Sequence, residues 1–424
     1  MDQQELEAQY VMSTYKRNPI QLVRGEGNRL FDSEGLEYID FIAGIGSVNA
    51  GHGNPTVTQA ITEQAGKLLH VSNFFYVDGR GELARDISEL LDGGDAEGGD
   101  ADGSAAQAGS VTPGWKTFFA NSGAEAVEGA LKLARLYGRR ELDGAATIVS
   151  ARHSFHGRTF GALTATGQAA MQDPFGPLLP GFIYVDINDI GALAAAVDSA
   201  TEAGKVAAVL LEPIQGEAGI WPCSDEYLQA ARTLTAERGQ LLVLDEVQTG
   251  FFRTGPAFNF HVRDVRPDVV CMAKGLGNGM PIGAFAACGR LADYLQPGDH
   301  GSTFGGSPLA IAAARASIAA LLEMQAGVNA LTVGEYLREL LSGLAGVVEV
   351  RGSGLMIGLT LERPLAAELL QYGLQRARTH GLGFIINAPA ADILRFLPPL
   401  CCSAEDARLL VDMLADGLSE LAGS

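Results

Sequence analysis

Of the six lysines in this chain (Lys16, Lys67, Lys116, Lys132, Lys205 and Lys274), only Lys274 stands between an apolar run and a glycine-rich turn, in CMAKGLGNGMP at 271–281. Lysines are almost never fully buried unless paired. A partly desolvated lysine has a lowered pKa and becomes a nucleophile able to form a Schiff base. The alternative is an amine that snorkels to the surface. Asp245 and Glu246 close a second apolar run, LLVLDE. Paired acids there could bind a metal, act in acid–base catalysis or orient a cationic ring. A carboxylate under a ring nitrogen would keep that nitrogen protonated. NSGAEAVEGALKLAR at 121–135 is the third feature, with Ser122 and Glu125 at capping-box spacing and Gly123 open to close backbone approach. It reads either as an ordinary capped helix or as a helix N-terminus that seats a phosphate. His52, His153, His156 and His261 are scattered and expected to be mostly structural. No His/Cys cluster points to a metal.

These residues need elements to hold them. Short apolar runs recur: TFFA (117–120), ATIVS (146–150), FIYV (182–185), AAVLLE (207–212), LLVLDE (241–246) and VVCMA (269–273). Such runs read as strands buried on both faces. Between them, EAVEGALKLARLYG and DEYLQAARTLTAERG carry helical apolar spacing with glycine stops. Strand–helix alternation predicts an α/β fold with a mostly parallel, doubly wound sheet, and ligands of such sheets bind at the carboxyl ends of the strands. The reactive residue types gather at those ends: NSGAE after TFFA, ARHSFHGRT after ATIVS, EPIQGE after AAVLL, DEVQTG after LLVL and KGLGNG after VVCMA. Five such clusters in chain order are hard to ascribe to chance. A strand-end lysine, an acidic partner for a ring nitrogen and a phosphate seat together match the needs of pyridoxal phosphate.

The whole-chain numbers frame this reading. A chain of 424 residues, 47% hydrophobic and 19% charged, can build a large core and suits two domains. A net charge of −20 disfavours nucleic acid or an anionic membrane as partner. Five cysteines (Cys223, Cys271, Cys288 and the adjacent Cys401 and Cys402) have no metal-like spacing and predict free thiols in a reducing compartment. The N-terminus, MDQQELEAQYVMSTYKR, resembles neither a signal nor a transit peptide. With no apolar run of membrane-spanning length, a soluble, cytoplasmic protein is expected. Residues 92–114, with Asp92, Asp95, Glu97, Asp100 and Asp102 and no basic residue, are expected to form a flexible acidic surface loop. From about 310 the pattern changes: PLAIAAARASIAALLEM reads as a long helix and VVEVRGSGLMIGLTL as two short strands. The expected division is an N-terminal segment, 1–55, contributing to a small domain, a large domain over 56–310, and a smaller α+β domain over 311–424.

In order, NSGAEAVEGALKLAR, SFHGRT, EPIQGEAGI, LLVLDEVQTGFFRTG, AKGLGNGMPIGAF and HGSTFGGSPLA resemble class III, pyridoxal-phosphate-dependent ω-aminotransferases, over nearly the whole chain. The acidic 92–114 segment departs from the family's short connection. The resemblance implies a fold-type I architecture and roles at matching positions. Lys274 would hold pyridoxal 5′-phosphate covalently and shuttle the proton. Asp245 would pair with the ring nitrogen, Gln248 with the phenolic oxygen, and Phe155 would stack on the ring. Ser122, Gly123 and Ala124 would bind the phosphate, joined by Thr303 from a neighbouring subunit, which implies a homodimer with shared sites. Arg forks match carboxylates. Arg158 would bind the carboxylate far from the reacting amine, and Arg395 the α-carboxylate of glutamate, with Glu217 neutralising Arg395 when the amine donor has no carboxylate there. Within the family the likeness favours the enzymes of N-acetylornithine in arginine biosynthesis, because Ile45 stands where ornithine enzymes carry a tyrosine; Tyr15 matches a tyrosine of both groups. The product pair would be N-acetylglutamate 5-semialdehyde and glutamate. Ornithine, 4-aminobutyrate, diaminobutyrate and succinyl-diaminopimelate remain alternative donors, the last as a side activity. An aminomutase or decarboxylase, and a non-catalytic binding protein, are the readings from other classes.

Overall fold

The structure, a computed structural model, describes residues 2–93 and 114–422. Asp95, Glu97, Asp100 and Asp102 of the acidic segment therefore lie outside the described residues. Its described edge is anchored, since Asp92 Oδ1 accepts from Trp115 Nε1 at 3.0 Å and from Arg266 Nη2 at 2.7 Å.

The central sheet runs in the order Trp115–Ala120, Gly283–Cys288, Val269–Met272, Leu241–Asp245, Gly204–Leu211, Thr147–Ala151, Phe182–Val185. Neighbours pair in parallel except around Gly283–Cys288, which is antiparallel to both strands beside it. Leu241–Asp245, Val269–Met272 and Thr147–Ala151 are buried at every position, as expected of strands covered on both faces. Each fully buried Val or Leu there contributes roughly 1.5–3 kcal/mol. The helix Gly123–Glu141 closes on one face through Ala126, Val127, Ala130 and Leu133. Its glycines let it approach: a Cβ at Gly129 would lie 2.2 Å from the Phe285 ring, and one at Gly138 would lie 2.2 Å from Ala145 O.

A second sheet pairs Leu22–Glu26, Arg29–Asp32 and Glu37–Asp40 with Leu382–Ile385, so the N-terminal segment shares a layer with the C-terminal part. A third, antiparallel sheet has the order Val347–Ser353, Met356–Leu361, Ile393–Phe396, Asn387–Ala390. The helices Ala326–Ser342 and Ala366–His380 pack on these two sheets, and Ala404–Ala422 packs on both helices. Pro308–Glu323 packs instead on Pro55–Ala65 and Arg80–Leu91 and on the lysine turn, where Ser317 Oγ donates to Gly275 O at 3.1 Å. Residue 311 falls inside the helix Pro308–Glu323, which also touches Ala326–Ser342.

Candidate active site

Five strands of the central sheet deliver side chains to one cavity of about 410 Å³. Asn121 to Ala124 follow the first strand, Phe155 to Arg158 the second, Glu212 and Glu217 the third, Asp245, Val247 and Gln248 the fourth, and Ala273 and Lys274 the fifth. Apart from Glu217, which stands on a hairpin beyond the third strand, each is placed because a buried strand ends there and the chain must turn.

The turn at Lys274 is strained. Its φ is +37°, a left-handed value that non-glycine residues rarely adopt. The strain projects the amine into the cavity, while Gly275 lets the backbone pass under Asn49, where a Cβ would meet Nδ2 at 2.3 Å. Burial lowers the Lys274 pKa to about 8; Glu217 pulls it up, Arg395 pushes it down, and Asp245 and Glu212 pull it up again.

Asp245 and Glu246, adjacent in sequence, face opposite ways. Asp245 lines the cavity, and its Oδ2 accepts from His156 Nδ1 at 2.8 Å, an interaction of two buried groups. Burial disfavours charge on His156, but the hydrogen bond to Asp245 and the negative charges of Asp245 and Glu212 outweigh it and raise its pKa. The imidazole thus fixes the carboxylate that faces the cavity, while its Nε2 stays buried without a partner among the described residues. Glu246 points inward and accepts from Thr249 Oγ1, Asn259 N and Phe260 N, holding the turn at Asn259–Arg263. It is a structural acid, and the pair offers no two-carboxylate metal site.

Ser122 caps the helix Gly123–Glu141, its Oγ accepting from Glu125 N at 3.2 Å. The expected capping box is shifted by one residue, because Glu125 Oε2 reaches back to Asn121 N and Nδ2 rather than to Ser122 N. The first amides of a helix have no carbonyl partner of their own. Here they border the cavity at Ser122, Gly123 and Ala124, in a helix of 19 residues.

At the other edge of the cavity, Arg395 lies on Ile393–Phe396 with its side chain 2% exposed. It pairs with Glu217, donates to Gly216 O at 2.9 Å and to Asn387 Oδ1 at 3.0 Å. Burial would raise the Glu217 pKa, but Arg395, Lys274 and Arg158 together lower it, so the acid is held ionised. Arg158 is exposed at the mouth, 5.5 Å over the Phe155 ring.

Nine of the expected site residues (Ser122, Gly123, Ala124, Phe155, Arg158, Glu217, Asp245, Gln248 and Lys274) line this one cavity, and Arg395 stands behind Glu217. Two do not join them. Thr303 lines a separate hollow with Asn73, Phe74 and His300, and Tyr15 is 77% exposed. Residue types alone did not single out His156 or Glu212. Glu212, buried and raised to about 7 by burial, with His156 opposing and Asp245 reinforcing, receives Phe155 N and Gly216 N. Its signal was its place at a strand end in EPIQGE.

The cavity fits pyridoxal phosphate. It joins a lysine, a fixed carboxylate and a helix N-terminus, and Gln248 Oε1 is buried there without a partner among the described residues. A Cβ at Gly216 would lie 2.1 Å from that Oε1, so the glycine leaves the amide its room.

The family model described as aminotransferase class-III matches residues 10–418. An acetylornithine aminotransferase of Caldanaerobacter subterraneus subsp. tengcongensis is 45% identical over 425 residues, covering 98% of each chain. The solved structure of acetylornithine aminotransferase from Elizabethkingia anophelis has a TM-score of 0.82 at 34% identity, covering 98% of both chains. That of ornithine aminotransferase from Toxoplasma gondii, described with partial occupancy of PLP at its active site, has a TM-score of 0.86 at 30% identity, covering 97% of this chain and 92% of the other.

Proposed function

The chain belongs to the class III aminotransferases, and on that footing we propose that it transfers the ω-amino group of N2-acetylornithine to 2-oxoglutarate. The products are N-acetylglutamate 5-semialdehyde and glutamate, a step of arginine biosynthesis, and the cofactor is pyridoxal 5′-phosphate. The observation that carries the two-substrate reading is the Glu217–Arg395 pair at the cavity edge, and the choice of N-acetylornithine is supported by the likeness to acetylornithine aminotransferases. A two-substrate transaminase needs a cationic fork for glutamate and a way to neutralise it for a donor lacking a carboxylate at that position. An enzyme rearranging one substrate needs neither.

When bound, pyridoxal phosphate carries the amino group between the two half-reactions and withdraws electrons from the reacting carbon. Lys274 would hold it through Nζ, Asp245 would face its ring nitrogen, Gln248 its phenolic oxygen, and the Ser122–Ala124 amides its phosphate. Burial lowers the Lys274 pKa to about 8 in the cofactor-free cavity; when Nζ is not holding the cofactor it would be the base placed to accept the proton released from the amine-bearing carbon. Arg158, at the mouth, binds the carboxylate remote from that carbon, with a fork suited to two oxygens. Arg395 receives the α-carboxylate of glutamate once Glu217 releases it.

The assembly is read as a homodimer with shared sites. Thr303 lies away from its own cavity, in a hollow shared with the exposed Phe74 and next in the chain to the exposed Phe304. Exposed apolar surface of this kind marks interfaces, and a second copy there would bring Thr303 to the other copy's phosphate. All five cysteines are free, which suits a reducing, cytoplasmic setting.

The test is a donor panel with 2-oxoglutarate: N-acetylornithine, ornithine, 4-aminobutyrate, diaminobutyrate and N-succinyl-diaminopimelate. N-acetylornithine is expected to give the highest kcat/KM, with the succinyl compound next. Free ornithine or 4-aminobutyrate outrunning it would overturn the assignment.

A further inference from the structure

Glu217 sits at the tip of a hairpin whose arms, Ile214–Gln215 and Trp221–Pro222, pair antiparallel. The tip is fixed almost everywhere except at Glu217. Gly216 N donates to Glu212 Oε2 at 3.1 Å, and Gly216 O accepts from Arg395. Gly219 N donates to Gly216 O at 3.3 Å, and Gly219 O accepts from Arg351 Nη2 at 2.7 Å. Ile220, with φ +64°, is fully buried beside Ile214, Met356 and Leu397. Only the side chains of Glu217 and Ala218 are partly open.

The two arginines that hold the tip stand in one row across the third sheet. Arg351 pairs in register with Gly358, and Gly358 with Arg395. The central position must be glycine for the tip to lie down on the sheet, since a Cβ at Gly358 would come within 2.5 Å of Gly219 O. Arg395 therefore grips the tip before Glu217 and Arg351 grips it after. Arg351 is 7% exposed and has no place in the lining of the cavity. It donates to Thr360 Oγ1 at 2.7 Å, and its guanidinium lies 3.7 Å over the Trp221 ring. Trp221 in turn closes the tip, its Nε1 donating to Ala218 O at 2.9 Å.

We propose that Arg351 is a positioning residue for the Glu217–Arg395 gate, clamping the hairpin tip so that Glu217 leaves and regains Arg395 by side-chain rotation on a fixed backbone. The proposal rests on the two-substrate reading above. With N-acetylornithine the gate is closed and Arg395 is neutralised. With glutamate Arg395 must turn to the substrate, and a tip held by Arg395 alone would then lose its anchor. Arg351 supplies an anchor that substrate does not compete for.

The test compares two single-turnover half-reactions of the holoenzyme, one with N-acetylornithine and one with glutamate, followed by cofactor absorbance. For Arg351→Gln, kcat/KM for N-acetylornithine is expected to fall about tenfold or more, as for loss of a charged hydrogen bond. That for glutamate should change by less than about threefold, because it uses the open gate. Glu217→Ala should show the same bias, and Arg351→Gln added to it should cost nothing further, since one residue acts through the other. Arg351→Lys keeps one donor and should give a smaller bias of the same sign; near-UV circular dichroism checks the fold of each variant, and the Lys variant carries the test if the Gln variant does not fold. An equal loss in both half-reactions, or additive losses in the double variant, would overturn the clamp while leaving the gate. If Glu217→Ala itself shows no bias between the substrates, the gate reading falls and the clamp falls with it.

Discussion

At the scale of single residues, the site depends on charges held where water cannot relax them. Lys274 has a pKa near 8 against an ordinary 10.5, chiefly through burial. The unfolded chain keeps this proton up to about 10.5 while the folded chain releases it near 8, so this group's contribution to the stability of the cofactor-free protein rises with pH across that window. Uptake of pyridoxal phosphate needs the neutral amine. Its rate in the cofactor-free protein should therefore climb with pH and level off above about 8; a rate still climbing tenfold per unit towards pH about 10 would exclude a depressed lysine. Arg158→Lys tests the other end of the substrate. A point charge replaces a two-toothed fork, so kcat/KM should fall by about ten- to a hundredfold through KM for N-acetylornithine and glutamate alike. A change confined to one substrate would deny Arg158 its shared role. Lys274 was legible because its neighbours along the chain announce a strand end and a tight turn. His156 was not, because its partner Asp245 is 89 residues away and nothing in SFHGRT declares that the imidazole turns to it.

At the scale of elements, the cofactor seat is positioned by glycines that let backbone approach backbone. The strand Gly283–Cys288 begins against the cap of the helix Gly123–Glu141, where a Cβ at Gly283 would lie 2.1 Å from Ser122 O. Gly138, on the same helix, lies equally close to Ala145 O but far along from the phosphate end. Alanine at either position overpacks and should lower Tm, at a cost of about 1–3 kcal/mol. Only Gly283→Ala should also weaken cofactor retention, by about tenfold or more, because it displaces Ser122. Equal retention in the two variants, measured by dialysis and absorbance, would detach the seat from this contact. The same strand marks where sequence reading stopped. GAFAAC has small residues and one aromatic in place of the β-branched runs of the other strands, and it follows a glycine turn, so it carried no clear strand signal. Its antiparallel insertion is set by tertiary pairing on both sides. The parallel strands, by contrast, read out to within a few residues, because strands largely covered on both faces carry unbroken apolar runs.

At the scale of the whole molecule, a net charge of −20 acts together with acids buried against their preference. Glu212 and Glu246 are each raised from 4.5 to about 7, chiefly by burial. Between those values the folded chain holds protons that the unfolded chain has released, so stability falls as pH rises through about 4.5 to 7. His156, raised by Asp245 and Glu212 against its burial, pulls the same way, since the charge it gains in the fold is lost as pH rises. Surface repulsion among the excess acids also grows with pH. The two contributions separate with salt, because exposed charges are screened beyond about 8–10 Å near physiological ionic strength and buried ones much less. Tm of the holoenzyme, measured by calorimetry between pH about 5.5 and about 8, should fall by several degrees, and added salt should remove only part of the fall. Glu246→Gln isolates the buried share: glutamine cannot ionise, and Glu246 has no place in the cavity lining. The amide's single oxygen serves only one of Asn259 N and Phe260 N, which donate to different carboxylate oxygens, so the variant's Tm drops at every pH and the slope with pH is the quantity compared. Its Tm should decline less steeply with pH than that of the parent at high salt. A variant as steep as the parent would put the slope on the surface charges alone, and a parent Tm that rises towards pH about 7 would mean the buried acids are ionised throughout, against the burial that surrounds them.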